Sequence, residues 1–198
     1  MLSSAPPPTA PAPNRIEKNN MTTIISGTNR RDSRTHQFAK IYEEFFREAG
    51  ADDVHLYSLA DLPDDILHVD MYGPKGQSPE LARVQNELIL PADRLFFLLP
   101  EYNGGMPGIL KLFIDALSIR EYKRTFRKKV AMAGTATGRA GNLRGMDHLT
   151  GVLLHMGATV YPNRLPISQM ATLHDADGVL NADADAAMRA QVEGFLRF

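Results

Sequence analysis

From residue 22 onward, short β-prone runs alternate with stretches whose apolar residues recur at helical spacing. Thr22, Thr23, Ile24 and Ile25 form a first strand that stops at Gly27, where a polar loop begins. Phe38, Ile41, Tyr42, Phe45, Phe46 and Ala49 then fall on one helical face, and Gly50 closes that helix. Val54, Leu56 and Tyr57 predict a second strand. Residues 61–77, rich in Pro and Gly, are too long for a simple connector and predict a site rim or a subunit contact. Ser78, Pro79 and Glu80 read as a helix start, with Ser78 capping and Pro79 in the first turn, and the helix extends to about Leu90.

Residues 95–99 are continuously apolar, the pattern of a central strand covered on both faces, and Pro100 ends it. Ile109, Leu112, Phe113, Ala116 and Leu117 trace a further amphipathic helix. Val130, Ala131, Met132 and Ala133 predict a fourth strand ending at Gly134. Leu149, Val152, Leu153 and Met156 lie on a helix that stops at Gly157, and Thr159, Val160 and Tyr161 supply a fifth strand. A last helix carries Ala184, Met188, Val192, Phe195 and Leu196 inward. Five strands alternating with helices predict an α/β fold, a doubly wound five-stranded parallel sheet with helices on both faces, for which 2-1-3-4-5 is the flavodoxin-like order. In such sheets ligands sit beyond the carboxyl ends of the strands, where the loops after strands one, three and four converge.

Composition narrows the chemistry. The chain has 198 residues, and its 43% hydrophobic and 23% charged content is that of one globular domain, residues 21–198. Residues 1–20 hold five of the 13 prolines and little apolar surface beyond alanine and Leu2, and read as a disordered tail. That tail lacks the pattern of a signal or transit peptide, and no apolar run is long enough to cross a bilayer, so the expected location is the cytoplasm. Having no cysteine excludes disulfides, thiolate metal sites and cysteine nucleophiles, so redox chemistry needs a borrowed cofactor. A net charge of -1 gives no field for nucleic acid or anionic membrane, so the expected partner is small.

The three convergent loops carry the unusual residues. Loop one, residues 27–35, has three arginines and three hydroxyls between a strand and a helix start, a place where free amides and the helix dipole favour an anion. It has neither the Walker A nor the GxGxxG spacing, so a terminal monophosphate suits it, although Ser33 or Thr35 acting as a plain helix cap explains part of the pattern. Loop two, residues 100–108, carries two prolines and three glycines, which lets backbone approach a flat ligand along which Tyr102 can lie. Glu101, a lone carboxylate, reads as a group that ties the loop rather than as an acid catalyst. Lys111 and Asp115, four apart, read as a helix-surface ion pair. Loop three, residues 134–142, is small and hydroxyl-bearing.

These residues resemble a known family. Gly27-Thr28-x-Arg30-x-x-Ser33-x-Thr35, followed by Pro100-Glu101-Tyr102-Asn103-Gly104-Gly105-x-Pro107-Gly108-x-Leu110-Lys111-x-x-Ile114-Asp115, is similar to the signatures of the NADPH-dependent FMN reductases, a family that includes azo, quinone and chromate reductases. The likeness runs over about residues 22–162. It implies non-covalent FMN, with NADPH or NADH as electron donor, a small acceptor, and a homodimer or homotetramer with active sites near subunit contacts. It places Thr28, Arg30, Ser33, Arg34 and Thr35 around the FMN phosphate, and Pro100, Glu101, Tyr102, Asn103 and Gly104 along the isoalloxazine. Gly134, Thr135, Thr137 and Gly138 complete the ring site. The family commonly has Ser at position 28 and Asn at 35, and loop three departs from its Ser-Gly pattern. The implied reaction passes a hydride from NAD(P)H to the flavin and then electrons to the acceptor, with no catalytic side chain required.

Other residues read as structural. The six histidines have no metal-ligand spacing, and Met132, Met146, Met156 and Met188 fill apolar faces. The basic cluster Lys123, Arg124, Arg127, Lys128 and Lys129 reads as a solvated connection that could also attract NADPH's extra phosphate. A flavodoxin-type electron carrier and a flavin-free phosphate-binding domain are the rival readings.

Overall fold

A computed structural model describes residues 20–173 and 179–198. The expected tail therefore lies outside the described residues except for Asn20, as does His174. Parallel strands β1 (Thr22–Ser26), β2 (Val54–Ser58), β3 (Arg94–Pro100), β4 (Lys129–Thr135) and β5 (Thr159–Val160) hydrogen-bond in the order β2-β1-β3-β4-β5. Helices α1 (Arg34–Glu48) and α6 (Ala182–Arg197) cover one face of the sheet. Helices α2 (Pro79–Val84), α3 (Gly108–Leu117) and α5 (Leu143–His155) cover the other.

The unbroken apolar run of β3 follows from this arrangement. Alternate side chains point to opposite faces, so Leu95, Phe97 and Leu99 enter one core while Phe96 and Leu98 enter the other. Val130 and Met132 of β4 divide from Ala131 and Ala133 in the same way. Phe96 meets Tyr42 and Phe46 of α1 at ring-centroid distances of 4.5 and 5.4 Å, and each such buried ring contributes about 1.5–3 kcal/mol. Tyr42 is fully buried and donates its hydroxyl to Gln191 Oε1 at 2.6 Å, while Gln191 Nε2 donates to the carbonyl of Met132. Burial raises the Tyr42 pKa well above its ordinary value, so this link between α1, α6 and β4 stays protonated.

Five features depart from the expectations drawn from sequence. A sixth strand, β6 (Leu165–Ile167), pairs with the carboxyl half of β4, and β5 is only two residues long, paired with its amino half. A three-residue strand centred on Pro166 has no periodicity to read, and an edge position tolerates the missing N–H. Ser78 stands at the α2 cap but its hydroxyl donates to Asp65 Oδ1 at 2.6 Å instead of capping, and the helix widens into a π-turn over Gln85–Ile89. A one-turn helix α4 (Tyr122–Phe126) occupies part of the stretch expected to be a connection.

The basic cluster of α4 and early β4 lies at the amino ends of the strands. Seven residues of β4, about 3.3 Å each, separate it from the loops at the other end, so the cleft is lined without it. Lys128 instead holds the chain together locally. Half-buried, it donates Nζ to the carbonyls of Leu90 and Ala92, and burial lowers its pKa. In residues 61–77, Ile66 and Met71 are buried whereas Leu67, Val69 and Tyr72 are exposed.

Candidate functional site

The three loops meet at the carboxyl ends of β1, β3 and β4 around a cleft of about 620 Å³, within the range of about 300–1,000 Å³ usual for ligand pockets. Arg30, Ser33, Arg34 and Thr35 line it from loop one, Pro100, Glu101 and Tyr102 from loop two, and Thr135, Thr137 and Gly138 from loop three. Asp32, Ala136 and Met170, which no sequence motif singles out, complete the lining. Thr28, Asn103, Gly104 and Gly134 stand outside it, each with a supporting position described below.

Loop one departs from β1 at Gly27, whose N–H donates to the Leu98 carbonyl at 2.7 Å. A Cβ there would lie 3.0 Å from that oxygen and 3.2 Å from Leu110, so only glycine lets the chain pass this close to β3. Asp32 adopts a left-handed φ of 54°, and Ser33 then caps α1 by accepting the His36 N–H at 3.0 Å. The cap satisfies one of the helix's unpaired first-turn donors and leaves the amides of Arg34 and Thr35 without an intrahelical partner. With the exposed Arg30 and Arg34 and the positive end of a 15-residue helix, this wall favours an anion. Asp32 and Glu101 are the acidic groups facing it.

His36, in the first turn, is held below its ordinary value, chiefly by burial and then by the Lys40 charge. Its Nδ1 is buried without a hydrogen-bond partner among the described residues. The adjacent Thr35 is buried and its hydroxyl lies 2.9 Å from that of Thr135, which joins the start of α1 to the end of β4.

Loop two leaves β3 with the Glu101 N–H donating to the Thr135 carbonyl at 2.9 Å. The loop is therefore tied by the main chain of Glu101 and not by its carboxylate, which is exposed. Tyr102 and Gly105 exchange backbone hydrogen bonds of 3.0 and 3.1 Å. Asn103 and Gly104 between them have φ of 51° and 76°, the signature of a type I′ turn. The Tyr102 side chain does not stay over loop two but reaches loop one, where its hydroxyl lies 2.5 Å from that of the buried Thr28. Behind the turn, Lys111 and Asp115 form the expected i,i+4 pair at 2.6 Å.

Loop three is clamped from two sides. Asn142 caps α5 in a left-handed conformation, accepts the Gly145 N–H, and donates Nδ2 to the Leu99 carbonyl at 2.9 Å. Gly134 faces this cap so closely that a Cβ would lie 2.5 Å from the Gly141 carbonyl oxygen, so its role is packing. On the other side, Ala136 N–H donates to Ile167 O, Met170 N–H to Ala136 O and Gln169 N–H to Gly138 O. Strand β6 thus brings Met170 to the cleft, and a residue so delivered carries no local motif.

The family model described as NADPH-dependent FMN reductase matches residues 21–172. An NADPH azoreductase of Bacillus sp. is 30% identical over 164 residues, 81% of this chain and 82% of its own. A 2-hydroxy-1,4-benzoquinone reductase of Burkholderia sp. is 30% identical over 135 residues, 67% and 69% of the two chains. Among solved structures, the flavoenzyme NAD(P)H:(acceptor) oxidoreductase FerB of Paracoccus denitrificans superposes with a TM-score of 0.73 at 24% identity, covering 90% of this chain and 96% of that one. A flavodoxin-like, WrbA-like protein of Agrobacterium tumefaciens superposes at 0.57 and 15% identity, covering 89% and 94%. The sheet order is that of the flavodoxin-like fold.

Proposed function

Since the chain belongs to the NADPH-dependent FMN reductase family, we propose that the three-loop cleft is where it works as an FMN-dependent NAD(P)H oxidoreductase and holds its FMN. The observation that carries this reading is the distribution of charge along the cleft: two arginines and a helix amino end against the single acidic Asp32 at loop one, and a lining at loops two and three that carries one charge, Glu101. That donor set fits a flat ligand with a phosphate at one end.

In this reading Arg30, Ser33, Arg34 and the first-turn amides of α1 balance the phosphate, with Thr28 and Thr35 supporting them from behind. Pro100, Glu101, the main chain of Tyr102 and the Asn103–Gly104 turn border the ring. Thr135, Thr137 and Gly138 close the opposite side, and Gly134 holds that loop in place. Bound FMN supplies the acceptance of a hydride from NAD(P)H and the delivery of electrons to an acceptor. The chain's own contribution is orientation, exclusion of water from the cleft floor at Thr35 and Thr135, and main-chain N–H groups that can stabilise negative charge on a ring beside them. Glu101 carries no proton in this scheme.

The acceptor we propose is a small planar molecule, such as a quinone or an azo compound, consistent with the names of the relatives. We further propose a cytoplasmic location, and a homodimer or homotetramer for which the exposed Leu67, Val69 and Tyr72 of residues 61–77 are the support. The deciding experiment is an absorbance spectrum of purified protein reconstituted with FMN, taken before and after NADPH under nitrogen. Bleaching of the flavin band with steady NADPH consumption on adding a quinone is expected, whereas protein that takes up no flavin would sink the reading. Flavin uptake without reduction by NADPH or NADH would instead indicate an electron carrier.

A further inference from the structure

Thr28 and Tyr102 form one polar unit at the edge of the cleft. Thr28 is 1% exposed and does not line the cleft, whereas Tyr102 does. The Thr28 Oγ1 accepts the Arg30 N–H at 3.2 Å and lies 2.5 Å from the Tyr102 Oη. Either hydroxyl could donate in the second contact, and the choice decides where the remaining proton goes.

Each hydroxyl has one donor and two acceptor positions. If Tyr102 donated to Thr28, the Thr28 proton would be buried with no second acceptor among the described residues, and an unmade hydrogen bond of a buried donor is costly. If Thr28 donates to Tyr102, the Thr28 hydroxyl both donates and accepts, and the phenolic proton of Tyr102 is left free to point into the cleft. The second arrangement wins. The order Arg30 N–H to Thr28, Thr28 O–H to Tyr102, then aligns successive donors toward the cleft, and hydrogen bonds so aligned reinforce one another.

Resting on the FMN reading above, we infer that the Tyr102 hydroxyl donates to the phosphate of the bound flavin nucleotide, with Thr28 as the positioning residue that directs it. The oxygen that receives the proton belongs to the phosphate and not to the ring, because the contact with Thr28 holds the hydroxyl at loop one, beside Arg30. Tyr102 thereby links the two ends of the site: its main chain starts the turn of loop two while its side chain closes the anion wall.

The test is fluorescence titration of the apoprotein with FMN and, separately, with riboflavin, which shares the ring and ribityl chain but lacks the phosphate. Tyr102→Phe is expected to weaken FMN at least five-fold and to change riboflavin less than two-fold. Thr28→Val should reproduce the FMN loss, Thr28→Ser should restore wild-type affinity, and the double variant should bind no worse than Tyr102→Phe alone, because both changes break one relay. Equal weakening of both flavins by Tyr102→Phe, or no change in either, would overturn the assignment while leaving the FMN reading intact. Wild-type protein that binds neither flavin would overturn both.

Discussion

Thr35 and Thr135, a hundred positions apart, share a buried hydroxyl-to-hydroxyl hydrogen bond of 2.9 Å at the floor of the cleft. Removing one partner strands the other. Thr35→Val or Thr135→Val alone should therefore destabilise the fold by about 1–3 kcal/mol, while the double variant, with two apolar groups of matching shape, should recover most of the loss. Urea denaturation of the three variants checks this, and additive losses would show that the pair is not coupled.

Arg30 is exposed beside the anion wall. A charge-assisted hydrogen bond to phosphate contributes about 1.5–3 kcal/mol, so Arg30→Ala should weaken FMN binding about 10- to 100-fold. Flavin fluorescence titration reads the change directly, and unaltered affinity would remove Arg30 from the site.

The carboxylate of Glu101 lies exposed at the cleft, and the tie to Thr135 is made by its main chain. Glu101→Gln should accordingly keep the rate of flavin reduction within about three-fold, far less than the roughly 10²–10⁴ that loss of a general acid costs. Stopped-flow reduction with saturating FMN is the measurement, and a drop of orders of magnitude would reinstate an acid role.

Gly134 and Gly138 offer a paired comparison within one loop. A Cβ at 134 would meet backbone at 2.5 Å, whereas at 138 nothing beyond the chain neighbours lies within 4 Å among the described residues. Gly134→Ala should cost about 1–3 kcal/mol by overpacking, and Gly138→Ala should stay within about 0.5 kcal/mol. Similar urea midpoints for the two variants would contradict the close approach of loop three to the α5 cap.

Acid should weaken the fold partly through His36. Its folded-state pKa lies below the ordinary 6.5 because burial disfavours the charged ring. As pH falls through 6.5 the unfolded chain takes up this proton first, so the contribution present above that value is progressively lost below it. The urea midpoint should fall between about pH 7 and about pH 5, and less steeply in His36→Gln. An identical slope in the variant would show that His36 is not involved.

Much of the molecule is legible in residue order. Phe38, Tyr42, Phe45 and Phe46 announce the inward face of α1, and the run at 95–99 announces a strand with cores on both sides, because burial imposes those periods directly. Ten of the anticipated site residues line the cleft, since loops one and two are local sequences that fold onto one rim. What sequence hides are features decided by contacts distant along the chain. Met170 reaches the cleft only because β6 pairs with β4. The Ser78 hydroxyl finds a carboxylate thirteen residues back instead of its own helix. Nothing local to loop two reveals that the Tyr102 hydroxyl meets that of Thr28, seventy-four positions away.

The outer edge of β4 passes from β5 to β6 partway along, and residues 162–164 between those strands belong to neither ladder. This stretch is a joint: a residue added or deleted there can be taken up between the two ladders, while the pairing of β6 with β4 and the Met170 N–H to Ala136 bond keep Met170 at the cleft. Length changes at that joint are accordingly the ones the three convergent loops should tolerate best.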